Sequence, residues 1–220
     1  MLAFRIALVG AALLPLASCF TPYIPSVARH GIKNPCLAGR SPPTMRTGLG
    51  MRMMAEPAIR IGHGWDIHRL ASLEEAGQAC VIGGVTVKDF DLGTVAHSDG
   101  DVLYHSTVDA ILGALTMPDI GQLFPDTDPK WKGCDSSAFM EEAWRLMDER
   151  GYQISNLDIT LVLQKPRVSP IKDKMKENVV KLLRTTDDRV NIKARTHEKV
   201  DSIGEARALA CHAVLLMEKK

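Results

Sequence analysis

Beyond residue 57 the chain switches between two periods of apolar spacing. Short runs over 59–62, 79–87, 154–163 and 190–196 read as strands. In the third, Leu157, Ile159, Leu161 and Leu163 recur at every second position, which puts them on one face of a half-buried strand. Helical stripes lie between these runs. Over 101–117, Val102, Val108, Ile111, Leu112 and Leu115 fall on one side of a helix, and over 136–150 Phe139, Ala143, Leu146 and Met147 do the same before Gly151 stops it. Ser169 as cap and Pro170 at the first helical position predict a third helix through Ile171, Met175, Val179 and Leu182. A fourth helix is expected over 204–217. The order strand, strand, helix, helix, strand, helix, strand, helix predicts an α+β fold, a mixed sheet with helices packed against it in a two-layer sandwich, forming one domain over 58–220.

The first 57 residues show another pattern. Arg5 precedes an apolar run over 6–17 that is interrupted by Pro15 and closed by the small residues Ala17, Ser18 and Cys19. That run falls short of the roughly 20 residues that span a bilayer, so 1–19 reads as a signal peptide rather than an anchor. Residues 20–57 are rich in Pro, Ser and Arg, with no Asp or Glu as far as Ala55, the composition of an organelle transit peptide. The junction Ala17-Ser18-Cys19-Phe20 resembles the signal-to-transit boundary of algae whose plastid lies behind extra membranes. That resemblance implies a plastid stroma destination reached through a bipartite leader, with no membrane segment in the mature form.

Composition narrows the functional classes. With 45% apolar residues in 220, the chain has enough for a sizeable core, and disorder throughout is excluded. The formal charge of +1 conceals an asymmetry, because Arg5, Arg29, Lys33, Arg40, Arg46 and Arg52 all lie before residue 56. The globular part then carries 21 basic and 26 acidic side chains out of the chain's 27 and 26, the wrong sign for a nucleic-acid binder. Of five cysteines, Cys19 and Cys36 fall in the leader; Cys80, Cys134 and Cys211 cannot pair evenly and form no CxxC, which predicts free thiols in a reducing compartment.

Two histidine-bearing segments carry candidate chemistry. Asp66 and His68 are two apart, so an extended chain places both on one face, while His105 lies in the first turns of the next helix. One carboxylate and two imidazoles form a competent set of three zinc ligands that leaves the fourth position open. On spacing alone, a turn Asp beside a surface His is the alternative. His97 and Ser98 precede a helix beginning near Gly100 or Asp101, where exposed amides attract phosphate, and Asp99 and Asp101 read as turn and capping residues. The stretch 119–129 is long and acidic for a connector. Thr196, His197 and Glu198 end a strand, and a hard Mg²⁺ suits Glu198 together with phosphate oxygens, the alternative being a solvated Glu198–Lys199 pair.

Taken together, the segments Ile61-Gly62-His63-Gly64-Trp65-Asp66-Ile67-His68, Ala96-His97-Ser98-Asp99-Gly100-Asp101 with His105, Asp119-Ile120-Gly121 with Phe124-Pro125-Asp126-Thr127-Asp128, and Thr196-His197-Glu198-Lys199 closely resemble the 2-C-methyl-D-erythritol 2,4-cyclodiphosphate synthase family over nearly all of 59–217. The resemblance implies a ferredoxin-like sandwich assembled as a homotrimer with active sites between neighbouring subunits. It implies a phosphorus–oxygen lyase of the non-mevalonate isoprenoid pathway that takes a cytidine diphosphate-linked substrate and releases CMP. By the same resemblance, Asp66, His68 and His105 match the ligands of one Zn²⁺ per subunit, and Glu198 that of a second ion, Mg²⁺ or Mn²⁺, held with the diphosphate. His97 and Thr196 match transition-state stabilisers. Asp66, Ile67, His68, Ser98, Asp119, Ile120, Gly121, Phe124, Pro125, Asp126, Thr127 and Asp128 match contacts to the methylerythritol and its phosphates. Leu163, Gln164, Lys165, Pro166, Arg167, Val168, Ser169, Ala194, Arg195 and Thr196 match a cytidine pocket supplied by the adjacent subunit.

Two departures stand out. Lys165-Pro166-Arg167 replaces the Ala-Pro-Lys common in bacterial members, and Ser202 and Glu205 stand where those members have Phe and Arg, leaving Arg207 as the replacement cation. That tail resembles plastid-type members. Outside this family, the residues alone also fit a zinc-dependent phosphohydrolase, or a catalytically silent module that binds a small ligand.

Overall fold

The structure, a computed structural model, describes residues 55–220 apart from Asp126 and Lys132. The expected signal peptide and nearly all of the expected transit peptide lie outside the described residues, as does Asp126. Among the described residues, no helix is long and apolar enough to cross a membrane.

The first strand, β1 (Ile59–Ser72), sets the architecture. From Ile59 to Leu70 its even-numbered residues turn inward and its odd-numbered residues turn outward. A short helix, α1 (Leu73–Ala76), leads to a hairpin of β2 (Val81–Ile82) and β3 (Val85–Thr86), whose two-residue turn is Gly83-Gly84 at φ 58° and 69°. Those angles are the ones a tight hairpin turn requires and glycine adopts without penalty. β4 (Leu92–Val95) then pairs with the end of β1, and the chain enters α2 (Val102–Ala114).

Helix α2 lies directly on β1 because Gly62 and Gly64 have no side chains. A Cβ at Gly62 would sit 1.8 Å from Ala110 O, and one at Gly64 1.9 Å from Ser106 O. Asp101 caps the helix as its position implied, accepting from Leu103 N and Tyr104 N at 3.1 Å each. The same buried carboxylate accepts from Gly83 N and Gly84 N at 2.9 and 2.6 Å, which ties the hairpin to the helix start. Almost every side of α2 is buried, and Ser106 and Thr107 satisfy their hydroxyls on Leu103 O.

The remaining elements are α3 (Ile120–Leu123), α4 (Ser137–Glu149), β5 (Tyr152–Val162), α5 (Lys172–Leu182), β6 (Val190–Arg195) and β7 (Ala208–Lys219). The main sheet has the order β4-β1-β7-β5-β6, with β5 and β6 parallel and the other pairs antiparallel. This is the mixed sheet with helices that an α+β fold requires. Its core joins Leu103, Ile111 and Leu112 of α2 to Met140 and Met147 of α4, Leu157 and Ile159 of β5, and Leu209, Cys211 and Leu215 of β7. The opposite sheet face is bare: Ile59, Ile61, Trp65, Ile67 and Val214 are exposed, Ile61 at 72%.

Three expectations need correction. The helix expected over 204–217 is instead β7, the central strand, paired on both sides. Its Ala, Leu and Met residues favour helix intrinsically, but burial of Leu209, Cys211, Ala213, Leu215 and Met217 at every second position overrides propensity. The strand expected over 79–87 is the small hairpin, separate from the main sheet. The third helix starts at Lys172 rather than after Ser169, because a turn closes first, Ile171 N donating to Val168 O at 3.0 Å. The expectation of free thiols holds for Cys80, Cys134 and Cys211. Burial pushes the Cys80 and Cys211 thiols up to about 12, which leaves them unreactive.

Candidate active site

The two glycines that admit α2 also position the next inward residues of β1. These are Asp66 and His68, which lie beside the first turns of α2, where His105 projects. Asp66 Oδ2 lies 3.1 Å from His68 Nε2 and 3.1 Å from His105 Nδ1, and the two ring nitrogens are 3.0 Å apart. Asp66 Oδ1 is occupied separately by Ile67 N at 2.8 Å. Burial raises the Asp66 carboxyl, but hydrogen bonds from His105 and His68 and their charge outweigh it and hold it well below the usual carboxylate range.

Such a triangle of donors fits a divalent cation. Metal–ligand distances near 2.0–2.2 Å at tetrahedral angles require donor separations of about 3.3 Å, a few tenths beyond those seen. Asp66, His68 and His105 are also the one group of three His, Cys, Asp or Glu residues among the described residues whose ligand atoms converge in this way. His105 is fixed from behind. Its Nε2 lies 2.9 Å from Ser136 Oγ and 3.2 Å from Ser98 Oγ, and Ser136 donates both its hydroxyl and its backbone N–H to Asp99, the latter at 3.1 Å. With the Ser136 hydroxyl committed to Asp99, Nε2 donates to Ser136 Oγ, so Nδ1, which donates to Asp66 in the absence of an ion, is the nitrogen that would give up its proton and ligate a bound cation.

A cavity of about 310 Å³ opens onto this cluster. Its walls include His68 and His105 together with the predicted His97, Ser98, Ile120, Gly121 and Phe124. Trp131 and Phe139, neither expected as a site residue, complete the apolar side and contact Phe124 with ring centroids 5.2 and 4.7 Å away. Asp119 caps α3, accepting from Gln122 N at 2.9 Å, and Asp128 accepts from Lys130 N at 3.0 Å. Pro125 and Thr127 belong to the same loop. Ile67 points to the outer sheet face. Asp99 and Ser136 were not expected as site residues. Ser136 lies 31 residues from His105, and no periodicity links them.

The remaining predicted residues gather elsewhere. Leu163, Gln164, Lys165, Pro166, Arg167, Val168 and Ser169 come after β5, while Ala194 and Arg195 end β6 and Thr196 follows it; Leu163 N donates to Arg195 O at 2.9 Å. Thr196 Oγ1 donates to Glu198 Oε1 at 2.5 Å, and Glu198 and Lys199 both adopt left-handed backbone, at φ 50° and 63°. Gln164 and Lys165 line a second cavity of about 700 Å³ with Lys199, and Gln164 Oε1 is buried with no donor among the described residues. The ladders pair Asp66 with Cys211, Cys211 with Leu161 and Leu161 with Ala194. Three strand spacings, about 14 Å, therefore separate the Asp66 cluster from the end of β6 within one subunit.

Comparison with known proteins gives consistent matches. The model of the YgbB family matches residues 59–218. A chloroplastic 2-C-methyl-D-erythritol 2,4-cyclodiphosphate synthase of Arabidopsis thaliana is 59% identical over 162 residues, covering 74% of this chain and 68% of its own. A chloroplastic synthase of the same name from Oryza sativa is 47% identical over 217 residues, covering 94% and 95%. Among solved structures, a CDP complex of IspF from Plasmodium falciparum has a TM-score of 0.66 and 37% identity, covering 76% of this chain and 99% of its own.

Proposed function

Because the chain belongs to the YgbB family, we propose that its Asp66–His68–His105 cluster is the metal centre of a 2-C-methyl-D-erythritol 2,4-cyclodiphosphate synthase. The enzyme is a CMP-releasing lyase of the non-mevalonate isoprenoid pathway, and its substrate is 4-diphosphocytidyl-2-C-methyl-D-erythritol 2-phosphate. The observation that carries the site assignment is the convergence of Asp66 Oδ2, His68 Nε2 and His105 Nδ1 on the cavity that His97, Ser98, Ile120 and Gly121 line.

In the reaction, an oxygen of the 2-phosphate attacks the β-phosphorus of the cytidine diphosphate, and CMP leaves with the electrons of the broken P–O bond. A phosphate monoester has its second pKa near 6 and is largely dianionic at neutral pH, so no strong base is required. Catalysis reduces to folding the substrate into a ring and offsetting its charge. Asp66, His68 and His105 would hold one Zn²⁺ per subunit, which would supply Lewis-acid polarisation of a phosphate oxygen, and Asp99 and Ser136 hold His105. Ser98 and the segment Asp119 to Gly121 take the methylerythritol end, while Asp126 of the adjoining loop falls outside the described residues. His97 and Thr196 donate hydrogen bonds to the transferring phosphoryl group. Glu198 is the protein ligand for the second ion, Mg²⁺ or Mn²⁺. The cytidine lies against Leu163 to Ser169 and Ala194 to Thr196, where Gln164 Oε1 stands ready for a donor.

Two observations support a homotrimer with each site shared between subunits, its protomer a ferredoxin-like sandwich. Thr196 and Glu198 come after a strand about 14 Å from Asp66, too far for one small substrate phosphate to touch both within a subunit. The bare outer sheet face, with Ile61 and Trp65 exposed, offers an apolar surface for neighbouring copies. The chloroplastic relatives and the basic leader support a plastid destination through a signal and transit segment in tandem.

Phosphorus NMR of the enzyme with the cytidylylated substrate tests the assignment. A cyclic diphosphate and CMP are expected; a linear phosphate or diphosphate would make the site a hydrolase.

A further inference from the structure

The outer face of the sheet carries a second pair of histidines. His63 lies opposite Val214 and His212 opposite Trp65, so the two rings meet diagonally across the β1–β7 ladder. His63 Nε2 and His212 Nδ1 are 3.2 Å apart, and the rings stack at 5.5 Å between centroids and 22° between planes. Asp66 and His68 turn to the other side of β1, so this pair belongs to neither their cluster nor their cavity.

We propose that His63 and His212 form a second transition-metal site, taking a divalent ion of the imidazole-binding class, such as Zn²⁺, Ni²⁺ or Cu²⁺, between His63 Nε2 and His212 Nδ1. The separation of 3.2 Å is close to the roughly 3.3 Å between two nitrogens that share an ion at 2.0–2.1 Å with tetrahedral angles. Imidazole is a ligand type that favours these metals over Mg²⁺ or Ca²⁺. Both histidines stand on a ladder paired from Ile59 to Arg69, so little ordering remains to be done on binding. Burial and the proximity of His63 lower the His212 pKa, which keeps that ring neutral and able to ligate near pH 7.

The surroundings leave the pair to an ion. Trp65, its ring 6.4 Å from His212, and the exposed Ile61 and Val214 offer no competing ligand. On β5 the outward neighbours are Thr160, opposite His212, and Asp158, opposite Val214. Asp158 is already engaged by Lys193 and by Asn191 at 2.8 Å. The two protein ligands come from one subunit, and they stand on the face proposed above to meet neighbouring copies. Water or symmetry-related pairs supply the remaining positions, and stoichiometry tells them apart.

The test uses the full chain, stripped with chelator, equilibrated with Ni²⁺ and washed, with bound nickel counted per subunit. The wild type is expected to hold more nickel than His212→Ala or His63→Asn. The excess is one ion per subunit if water completes the shell, or one per three subunits if the pairs share an ion. CMP release by both variants is expected to stay within about twofold of wild type. His212→Gln, which keeps a side chain of comparable length, is expected to show the same nickel loss, so a packing defect in the alanine variant does not decide the result. Equal nickel in the wild type and all three variants would overturn the proposal.

Discussion

His105 Nε2 lies 2.9 Å from Ser136 Oγ, on the far side of the ring from Asp66, and Ser136 in turn donates to Asp99. This relay selects the tautomer that frees Nδ1 as a ligand. Loss of such a partner behind a ligating histidine typically weakens metal retention about 10–100-fold. Ser136→Ala is therefore expected to surrender its ion to a competing chelator at correspondingly lower concentration, with the far-ultraviolet spectrum unchanged. Wild-type retention would remove the positioning role.

Gly64 supports the same geometry from below. Alanine there puts its Cβ 1.9 Å from Ser106 O, so α2 must move off β1. Overpacking of this kind costs about 1–3 kcal/mol and sometimes more, and Gly64→Ala is expected at or above the upper end in urea denaturation. Gly77→Ala is the control. It has the left-handed backbone of a helix-cap glycine, at φ 71°, but nothing within 4 Å, and is expected to cost about 1 kcal/mol. Equal effects at the two positions would contradict the close-approach account.

These residues also show how much was legible beforehand. The grouping of the candidate site was, because Asp66, His68, His97, Ser98 and His105 are ligand and donor types clustered in two short segments, and the fold brings them to one place. The extent of β1 was not: Gly62, His63, Gly64, Asp66 and His68 break the apolar alternation, and the strand is held by its pairing with β7 and β4, with α2 packed over its glycines. β7 was misread as helix because Ala208, Leu209, Ala210 and Met217 favour helix locally, and only pairing with β1 and β5 makes them a strand. Helices α2 and α4 were found to within a few residues, since their stripes face one core. Ser136 and Phe139 come to the site through the packing of α4, which no single-chain pattern reports.

Asp66 contributes to the acid response of the metal-free protein. Its carboxyl is held below the usual range in the fold, so the folded state keeps it ionised where the unfolded chain has protonated it. Its contribution is fully present above the unfolded pKa of about 3.9 and is lost as pH falls through the lower folded value. The stability gap between chelator-treated wild type and Asp66→Asn is therefore expected to shrink as pH falls below 4, relative to its value at pH 5. A gap that grew on acidification would reverse the assigned direction.

If the site is shared, inactive variants must rescue each other. His68→Ala removes a metal ligand and Thr196→Ala removes a donor carried by the end of β6. Mixed assemblies formed from equal amounts would place an intact metal cluster beside an intact Thr196 at roughly one quarter of interfaces. Activity near that fraction of wild type is expected from the mixture, against almost none from either variant alone. A mixture as inactive as its components would place both residues in a single-subunit site.

The most direct measurement is made on His68→Ala itself: metal content and CMP release from the cytidylylated substrate, side by side with wild type. The account predicts a folded protein that has lost the ion of the Asp66 cluster and releases CMP at least a hundredfold more slowly. CMP release near the wild-type rate from a protein lacking that ion would contradict it.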